Sequence, residues 1–219
     1  MDRSAKGIEI DSSAGRNVSS IVYVVDDDIS VREALEGLIR EAGWRPLSFS
    51  SARDFLSHRH TRGPSCLILD VSLPDLSGLE LQRQIAADRT DLPIIFLAGH
   101  GEIPVSVRAI KAGAEEFLTK PFDHEVLLDA IRRALRISES TIDAATDIQT
   151  LKDRYASLSG REREVMALVV TGLMNKQVGG ELGISENTVK AHRGRMMQKM
   201  KARSLADLVN IAAKLGIQR

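Results

Sequence analysis

The chain has 219 residues, 43% of them apolar, and carries 30 basic and 30 acidic side chains. This length allows one large globular domain or two modest ones. The single cysteine, Cys66, excludes a disulfide within the monomer, and the lack of any long apolar run predicts a soluble protein of the cytoplasm with no membrane contact.

Apolar runs alternate with helical patterns from residue 21 to about residue 136. Residues 1–20 lack the apolar middle of a signal peptide, and we expect a flexible tail there. Five strands alternating with five helices predict a doubly wound parallel sheet, because each parallel pair needs a crossover. The predicted strands are 21–25, 46–49, 66–69, 93–98 and 115–119, and the predicted helices are 31–42, 52–59, 79–87, 105–112 and 124–136.

The charge distribution separates a second region from the first. Residues 21–136 carry 14 basic and 18 acidic side chains, whereas residues 155–219 carry 11 and 5. Residues 137–157 are more polar and predict a partly helical linker. From residue 158 the pattern is helical throughout, which predicts a second, smaller all-α domain over 158–219 that could approach nucleic acid. Its predicted helices are 160–171, 175–182, 186–200 and 204–215.

Charged side chains follow three of the predicted strands. Asp26 and Asp27 come after the first, Asp70 ends the third and Lys120 follows the fifth. The carboxyl ends of parallel strands meet at one edge of a sheet, so these groups converge. Nearby carboxylates repel unless a hard divalent cation neutralises them, and Lys120 suits a phosphoryl oxygen. Asp28 is interpreted as a turn or capping carboxylate where the first helix begins.

Residues 21–136 resemble the receiver domain of two-component response regulators in the stretches VYVVDDDIS, LILDVSLPDLSG and FLTKPF. The resemblance implies a flavodoxin-like fold in which Asp70 accepts a phosphoryl group from a sensor histidine kinase. It implies that Asp27, Asp70 and the backbone carbonyl of Ser72 hold Mg²⁺ (or Mn²⁺), with Asp26 acting through water. It also implies that Lys120 contacts the phosphoryl group and that the Lys120–Pro121 bond is cis. Pro74 and Gly78 are interpreted as shaping the loop after Asp70.

The predicted switch departs from the family pattern. The family carries Thr or Ser at the end of the fourth strand, where its hydroxyl turns toward the phosphoryl group, but this chain has Ala98 there. Phe117 either matches the aromatic residue of the family's switch or is an ordinary core residue. A hydrogen bond to a charged group contributes about 1.5–3 kcal/mol, so its loss would weaken the switch. Three explanations are open: His100 or a water supplies the donor, the active state is already populated, or the residue was altered.

The third helix of the basic region has the character of a recognition helix. Ser185 is its predicted cap, and Val189, Met196 and Met200 form a stripe expected to face the core. The opposite side of the helix carries basic or small residues, which suits a helix that lies in the major groove of DNA. That side carries Asn187, Lys190, Ala191 and Gly194, flanked by Arg193 and Arg195.

Residues 158–219 are similar to the LuxR-type helix-turn-helix domain through LSGREREV, G-x-x-N-K, LGIS-x-x-TVK-x-HR and SLADLV. The similarity implies that Lys190, Ala191 and Gly194 face the bases. Other members of the family often have a longer polar side chain at the position of Gly194, so direct readout of the bases is expected to be weaker there. Gly179 and Gly180 are each expected to cost about 1 kcal/mol in helix stability. The similarity further implies that Asn175, Lys176, Thr188, His192 and Arg193 contact or support the DNA backbone.

Together the two regions resemble the NarL/FixJ family of response regulators, in its FixJ/StyR-like subgroup. The resemblance implies a transcriptional regulator that is phosphorylated at Asp70, forms a homodimer, binds double-stranded promoter DNA and can contact RNA polymerase. It is not expected to be an enzyme beyond its own phosphorylation and dephosphorylation. The alternative is a phosphorylation-independent DNA-binding regulator, which Ala98 favours. A metal-dependent phosphatase ranks behind both, because no second catalytic constellation is present.

Overall fold

The computed structural model describes residues 20–59, 63–99 and 103–217. Residues 1–19 of the predicted tail and His100 lie outside the described residues. The chain separates into two compact units, which divide between Ile142 and Asp143. Among the described residues, no helix is both long and apolar enough to cross a lipid bilayer.

The first unit is built on a parallel sheet of five strands in the order β2-β1-β3-β4-β5. This confirms the predicted fold class. Most of the observed strands and helices begin and end within two residues of the predicted positions. The strands are β1 (Ile21–Val25), β2 (Arg45–Phe49), β3 (Ser65–Asp70), β4 (Ile94–Ala98) and β5 (Glu116–Thr119). The helices are α1 (Ile29–Glu41), α2 (Ala52–Ser57), α3 (Gly78–Asp88), α4 (Ile103–Lys111) and α5 (His124–Ala156).

Both faces of the sheet are buried, which explains why β1 and β4 are apolar at every position and β3 is apolar between its two ends. Tyr23 and Leu69 belong to one apolar cluster, which includes Phe55 of α2 and Leu81 of α3. The residues that alternate with them along the strands face the opposite side of the sheet and pack against α1 and α5. That second cluster contains Val22, Val24, Ile68, Ile95, Leu35 and Ile131. A strand with a core on each side cannot alternate between polar and apolar residues.

Helix α5 extends well beyond the predicted end at residue 136. The segment expected to be a partly helical linker is helical as far as Ala156, because no glycine or proline interrupts it. The buried Ser138 ties this helix to the sheet: its hydroxyl accepts a hydrogen bond from the Ser65 amide at 3.0 Å and donates one to the Asp91 carbonyl at 2.6 Å.

The second unit packs short helices around its own apolar core. These are α6 (Gly160–Val169), α7 (Asn175–Leu182), α8 (Glu186–Met200) and α9 (Leu205–Lys214), preceded by the end of α5. Ser185 caps α8, as predicted, by accepting a hydrogen bond from the Thr188 amide. Val189, Met196 and Met200 are fully buried, which confirms the predicted core stripe of that helix.

The two adjacent glycines of α7 are not equivalent. A Cβ on Gly179 would lie 2.8 Å from the carbonyl oxygen of Ile184, whereas a Cβ on Gly180 would meet nothing within 4 Å. The sequence-based expectation treats the two glycines alike, whereas the structure adds a role for Gly179, which permits close contact with the chain that leads into α8.

We expect Gly179→Ala and Gly180→Ala to change stability in opposite directions. Overpacking makes Gly179→Ala destabilising by about 1–3 kcal/mol, while Gly180→Ala stabilises the exposed helix by about 0.5–1 kcal/mol. Urea denaturation of the full chain, monitored through the NMR signals of the α8 amides, measures the free energy of unfolding of both variants. Equal effects of the two substitutions would contradict this account.

Candidate functional site

The charged side chains predicted to converge do so at the carboxyl edge of the sheet. Asp26, Asp27 and Asp70 each offer a carboxylate oxygen within 4.8 Å of the others. The Lys120 ammonium donates to Asp26 Oδ2 at 2.7 Å and lies 3.5 Å from Asp70 Oδ2. The Lys120–Pro121 peptide bond is cis, as the resemblance implied.

Burial and charge perturb the protonation of this cluster. Burial raises the pKa of Asp70, and the neighbouring Asp26 carboxylate raises it further, while Lys120 and a backbone hydrogen bond from Ser72 act in the opposite direction. Burial lowers the pKa of Lys120, but its hydrogen bond to Asp26 and the charges of Asp26 and Asp70 outweigh that effect and raise it. Asp26 is 1% exposed. The cluster combines three carboxylates with the single ammonium of Lys120, so its formal charge is negative.

This donor set fits a divalent metal ion. Hard cations such as Mg²⁺ take carboxylate, carbonyl and water oxygens and favour sites with several acidic groups. The three carboxylates supply such ligands, and Asp27 and Ser72 line one open groove beside Asp70. The cluster could therefore bind a divalent metal ion.

Two further residues shape the acidic loop. The Arg32 guanidinium donates through Nη1 to the carbonyl oxygens of Asp26 at 2.7 Å and Asp27 at 2.9 Å. Sequence reasoning missed Arg32, although a basic residue one helical turn after an acidic run was a usable signal. Asp28 is the predicted cap of α1 and accepts a hydrogen bond from the Ser30 amide at 2.8 Å.

Gly78 permits the close approach behind the predicted phosphoacceptor. A Cβ on Gly78 would lie 2.5 Å from the carbonyl oxygen of Asp70 and 3.0 Å from the ring of Phe96. No side chain fits there without movement of the loop, which accounts for the glycine at the start of α3.

The predicted switch residues lie beside this cluster. Ala98 is fully buried at the end of β4, and its carbonyl oxygen accepts a hydrogen bond from the Lys120 amide at 2.7 Å. The methyl side chain offers no hydrogen-bond donor. Phe117 packs against the core, with its ring centroid 6.3 Å from that of Phe96.

In the second unit, one side of α8 is open to solvent. Asn187, Lys190, Ala191, Gly194 and Arg195 are exposed, opposite the buried stripe of the same helix. The Lys190 ammonium lies 3.2 Å from Glu186 Oε1 in an exposed ion pair, which contributes little to stability. Small and basic side chains on one open helix face are suited to close contact with a polyanion.

The remaining predicted DNA-contacting residues flank that face. Arg193 is half-buried and donates through Nη1 to Asn175 Oδ1 at 3.0 Å, which joins α8 to the first residue of α7. Thr188 and Ser185 share a hydrogen bond between their hydroxyls at 2.8 Å. Lys176 is exposed, and the buried Nδ1 of His192 has no hydrogen-bond partner among the described residues.

Comparison with known proteins finds one family model in each of the two compact units. The family model for the response regulator receiver domain matches residues 22–132, and the model for bacterial regulatory proteins of the luxR family matches residues 156–212. Nodulation protein W of Bradyrhizobium diazoefficiens is 49% identical over 201 residues, which cover 92% of this chain and 88% of that protein. Response regulator protein TmoT of Ectopseudomonas mendocina is 50% identical over 196 residues, or 90% and 89% of the two chains.

A solved structure supports the same relationship. The response regulator StyR is 48% identical in sequence and superposes with a TM-score of 0.81 over 90% of this chain and 99% of that chain. The fold and site thus define a two-component response regulator with a receiver and a LuxR-type helix-turn-helix domain. The chain belongs to this family of transcription regulators, whose other members include FixJ. Its two domains imply a kinase and DNA as partners, and response regulators with a DNA-binding domain are generally not enzymes.

We expect Lys190→Ala to weaken DNA binding. Loss of a base contact in the major groove typically costs about 1–3 kcal/mol, or roughly 5- to 150-fold in affinity. Lys214→Ala, which removes an exposed lysine of α9, is the matched control for the loss of one positive charge. Fluorescence anisotropy with a promoter fragment selected by the parent protein measures both variants, and equal losses would contradict base readout by Lys190.

Proposed function

We propose that this protein is activated by phosphorylation of Asp70 by a sensor histidine kinase, which favours homodimerisation and binding to promoter DNA. The observation that carries the proposal is the convergence of Asp26, Asp27, Asp70 and Lys120 at one edge of the sheet. The working domains are proposed to be 21–136 for the receiver, 137–157 for the linker and 158–219 for DNA binding. The site of action is the cytoplasm, where bacterial promoters and kinase domains are found.

In the proposed transfer, an Asp70 carboxylate oxygen attacks the phosphorus of the phosphorylated histidine. The bond from phosphorus to the histidine nitrogen breaks, and that nitrogen keeps the electron pair. Lys120 is held by Asp26 within 2.7 Å and is therefore poised to contact a phosphoryl oxygen of the product. Positioned charges of this kind supply most of the catalysis in phosphoryl transfer.

In the proposed mechanism, Asp27, Asp70 and the backbone carbonyl of Ser72 would hold Mg²⁺ or Mn²⁺, and Asp26 would act through water. When bound, the ion neutralises charge that builds up on the phosphoryl oxygens. The chain's own residues prepare the site: Arg32 fixes the backbone of the acidic loop through two carbonyls, and Lys120 orients Asp26. Beyond its own phosphorylation and dephosphorylation, the protein is proposed to catalyse no reaction.

The output of the proposed switch is a surface formed by α4, β5 and α5. Val107 and Ile110 on α4 are 55% and 48% exposed, which suits a surface that a partner subunit covers. A dimer presents two recognition helices, so the second DNA contact becomes intramolecular and modest dimerisation raises occupancy steeply. In this proposal the DNA contacts are made by the exposed face of α8 and by its flanking residues on α7 and α8, and a DNA-bound dimer can also contact RNA polymerase.

One observation favours a second candidate function. Ala98 is buried beside Lys120 and has no hydroxyl that could bond a phosphoryl oxygen. The chain would then bind DNA independently of phosphorylation, with the receiver acting as a scaffold.

The parent protein and Asp70→Asn, each with Mg²⁺ and a small phosphodonor, separate these proposals. We expect only the parent to gain a phosphoryl mass by intact-mass spectrometry and to dimerise in the same sample by light scattering. If the parent gains the phosphoryl mass but stays monomeric, the link between phosphorylation and dimerisation has been lost at Ala98. If it gains no mass, the phosphoacceptor role of Asp70 fails and the second function takes its place.

A further inference from the structure

The loop that follows the proposed phosphoacceptor, residues 71–77, is tied to helix α2 by Asp75. The Asp75 carboxylate accepts a hydrogen bond from the Ala52 amide at 3.3 Å through Oδ1 and one from the Arg53 amide at 3.0 Å through Oδ2. These are the first two amides of α2, and the amides of the first turn have no partners within a helix. The loop is therefore fastened to an element that lies 22 and 23 residues earlier in the chain.

Helix α2 also has a cap of its own. The Ser51 hydroxyl accepts a hydrogen bond from the Asp54 amide at 3.1 Å, and the Phe55 amide donates to the Ser51 carbonyl oxygen at 3.3 Å. These are the usual contacts of an N-cap serine. The contacts of Asp75 come in addition to them, and they join the helix to a loop that is distant in sequence.

The carboxylate of Asp75 is held in its charged form. Burial raises the pKa of Asp75, but the hydrogen bonds from the Arg53 and Ala52 amides lower it and leave the pKa below the ordinary value of an aspartate. Hydrogen bonds from backbone amides to a charged carboxylate are stronger than those between neutral groups. The link between the loop and α2 is therefore a strong one at neutral pH.

Ser72, whose backbone carbonyl is a proposed metal ligand, lies between fixed points of this loop. On one side, the Val71 amide donates to the Leu97 carbonyl oxygen at 3.0 Å. On the other side, Leu73 packs in the core and Asp75 holds the loop to α2. Ser72 itself is exposed, so the direction of its carbonyl depends on how firmly the loop is held on both sides.

We propose that Asp75 is a positioning residue for the divalent metal ion: by fastening the loop to α2, it holds the Ser72 carbonyl oxygen in place for that ion. The inference rests on the proposed function, in which this carbonyl is a metal ligand. Groups that hold a metal ligand in place typically contribute about 10- to 100-fold to metal affinity. A residue that merely capped α2 would affect the stability of the protein and leave its metal affinity unchanged.

The test compares Mn²⁺ binding by the full-length parent and by Asp75→Asn, measured by electron paramagnetic resonance at one salt concentration and without phosphodonor. Asparagine keeps the size of the side chain but loses the charge and one of the two acceptor oxygens, and we expect it to weaken Mn²⁺ binding by about tenfold.

Two variants of α2 are the matched controls. Ser51→Ala removes the other cap of the same helix, and Asp54→Asn removes the same charge from that helix. We expect both to bind Mn²⁺ within about twofold of the parent, although Ser51→Ala should lower the urea midpoint of unfolding.

Phosphorylation of Asp70 gives a second readout. Because Asp75 acts through the metal ion, we expect Asp75→Asn to be phosphorylated more slowly than the parent at limiting Mg²⁺ and at the parent rate at saturating Mg²⁺. A slower rate that persists at saturating Mg²⁺ would contradict a role in metal binding.

Two further results would overturn the inference. One is an Mn²⁺ affinity of Asp75→Asn equal to that of the parent, and the other is an equal loss of affinity in Ser51→Ala, which would assign the loss to α2. Asp70→Asn separates this inference from the proposed function. If Asp70→Asn binds Mn²⁺ as tightly as the parent, the proposed metal site is wrong and the inference fails with it. If Asp70→Asn loses Mn²⁺ while Asp75→Asn keeps it, only the role of Asp75 is wrong.

Discussion

Replacing Lys120 with alanine is expected to slow phosphorylation of Asp70 by about a hundredfold or more. Lys120 lies 3.5 Å from Asp70 and is fixed by a 2.7 Å hydrogen bond to Asp26, so its charge is in place before the reaction begins. Removal of one preorganised donor from a site that stabilises developing charge typically costs about 10²–10³ in rate. The phosphorylation rate is measured in single-turnover experiments with a small phosphodonor, in which intact-mass spectrometry monitors the gain of the phosphoryl group.

The control for Lys120→Ala is Lys111→Ala, which removes the exposed lysine at the end of α4 and leaves the acidic cluster unchanged. Mn²⁺ binding by Lys120→Ala, measured by electron paramagnetic resonance, shows whether the carboxylates remain assembled. A rate within about twofold of the parent, with Mn²⁺ binding intact, would contradict the role of Lys120.

Replacing Ala98 with threonine is expected to strengthen the link between phosphorylation and dimerisation by about tenfold or more. The added hydroxyl can donate to a phosphoryl oxygen, and a hydrogen bond to a charged group contributes about 1.5–3 kcal/mol. The bond exists only in the phosphorylated state, so it shifts the equilibrium toward the active state by that difference. Sedimentation of phosphorylated and unphosphorylated samples gives the two dimerisation constants and hence their ratio.

Ala98→Val is the matched control, because valine has nearly the shape of threonine and lacks the hydroxyl. Ala98 is fully buried, so the two larger side chains disturb packing to a similar degree. If valine strengthens the coupling as much as threonine, packing rather than the hydroxyl is responsible and this explanation of Ala98 is wrong.

The parallel sheet could be predicted from the sequence, because its signal is local. Strands such as IVYVV and CLIL are apolar throughout, and the helices between them have clear ends. The convergence of Asp26, Asp70 and Lys120 followed from the fold class, since parallel strands place their carboxyl ends at one edge.

Other features depend on tertiary contacts that no local pattern encodes. The contrast between Gly179 and Gly180 is set by the carbonyl of Ile184, which the turn after α7 brings to one glycine and not the other. The length of α5 was underpredicted because a polar composition indicates a linker, whereas the lack of glycine and proline lets the helix continue. No sequence pattern shows that Gln82 Oε1 and Arg89 Nη1 are buried without a hydrogen-bond partner among the described residues, because that depends on the tertiary contacts of each side chain.

We propose that phosphorylation of Asp70 controls DNA binding. The most direct test is a titration of one promoter fragment with the parent protein, with and without phosphodonor, alongside Asp70→Asn under the same conditions and salt concentration. We expect the phosphodonor to tighten DNA binding by the parent by about tenfold or more and to leave the affinity of Asp70→Asn unchanged. Equal affinities for the phosphorylated and unphosphorylated parent would contradict the account and would assign the protein to the phosphorylation-independent function.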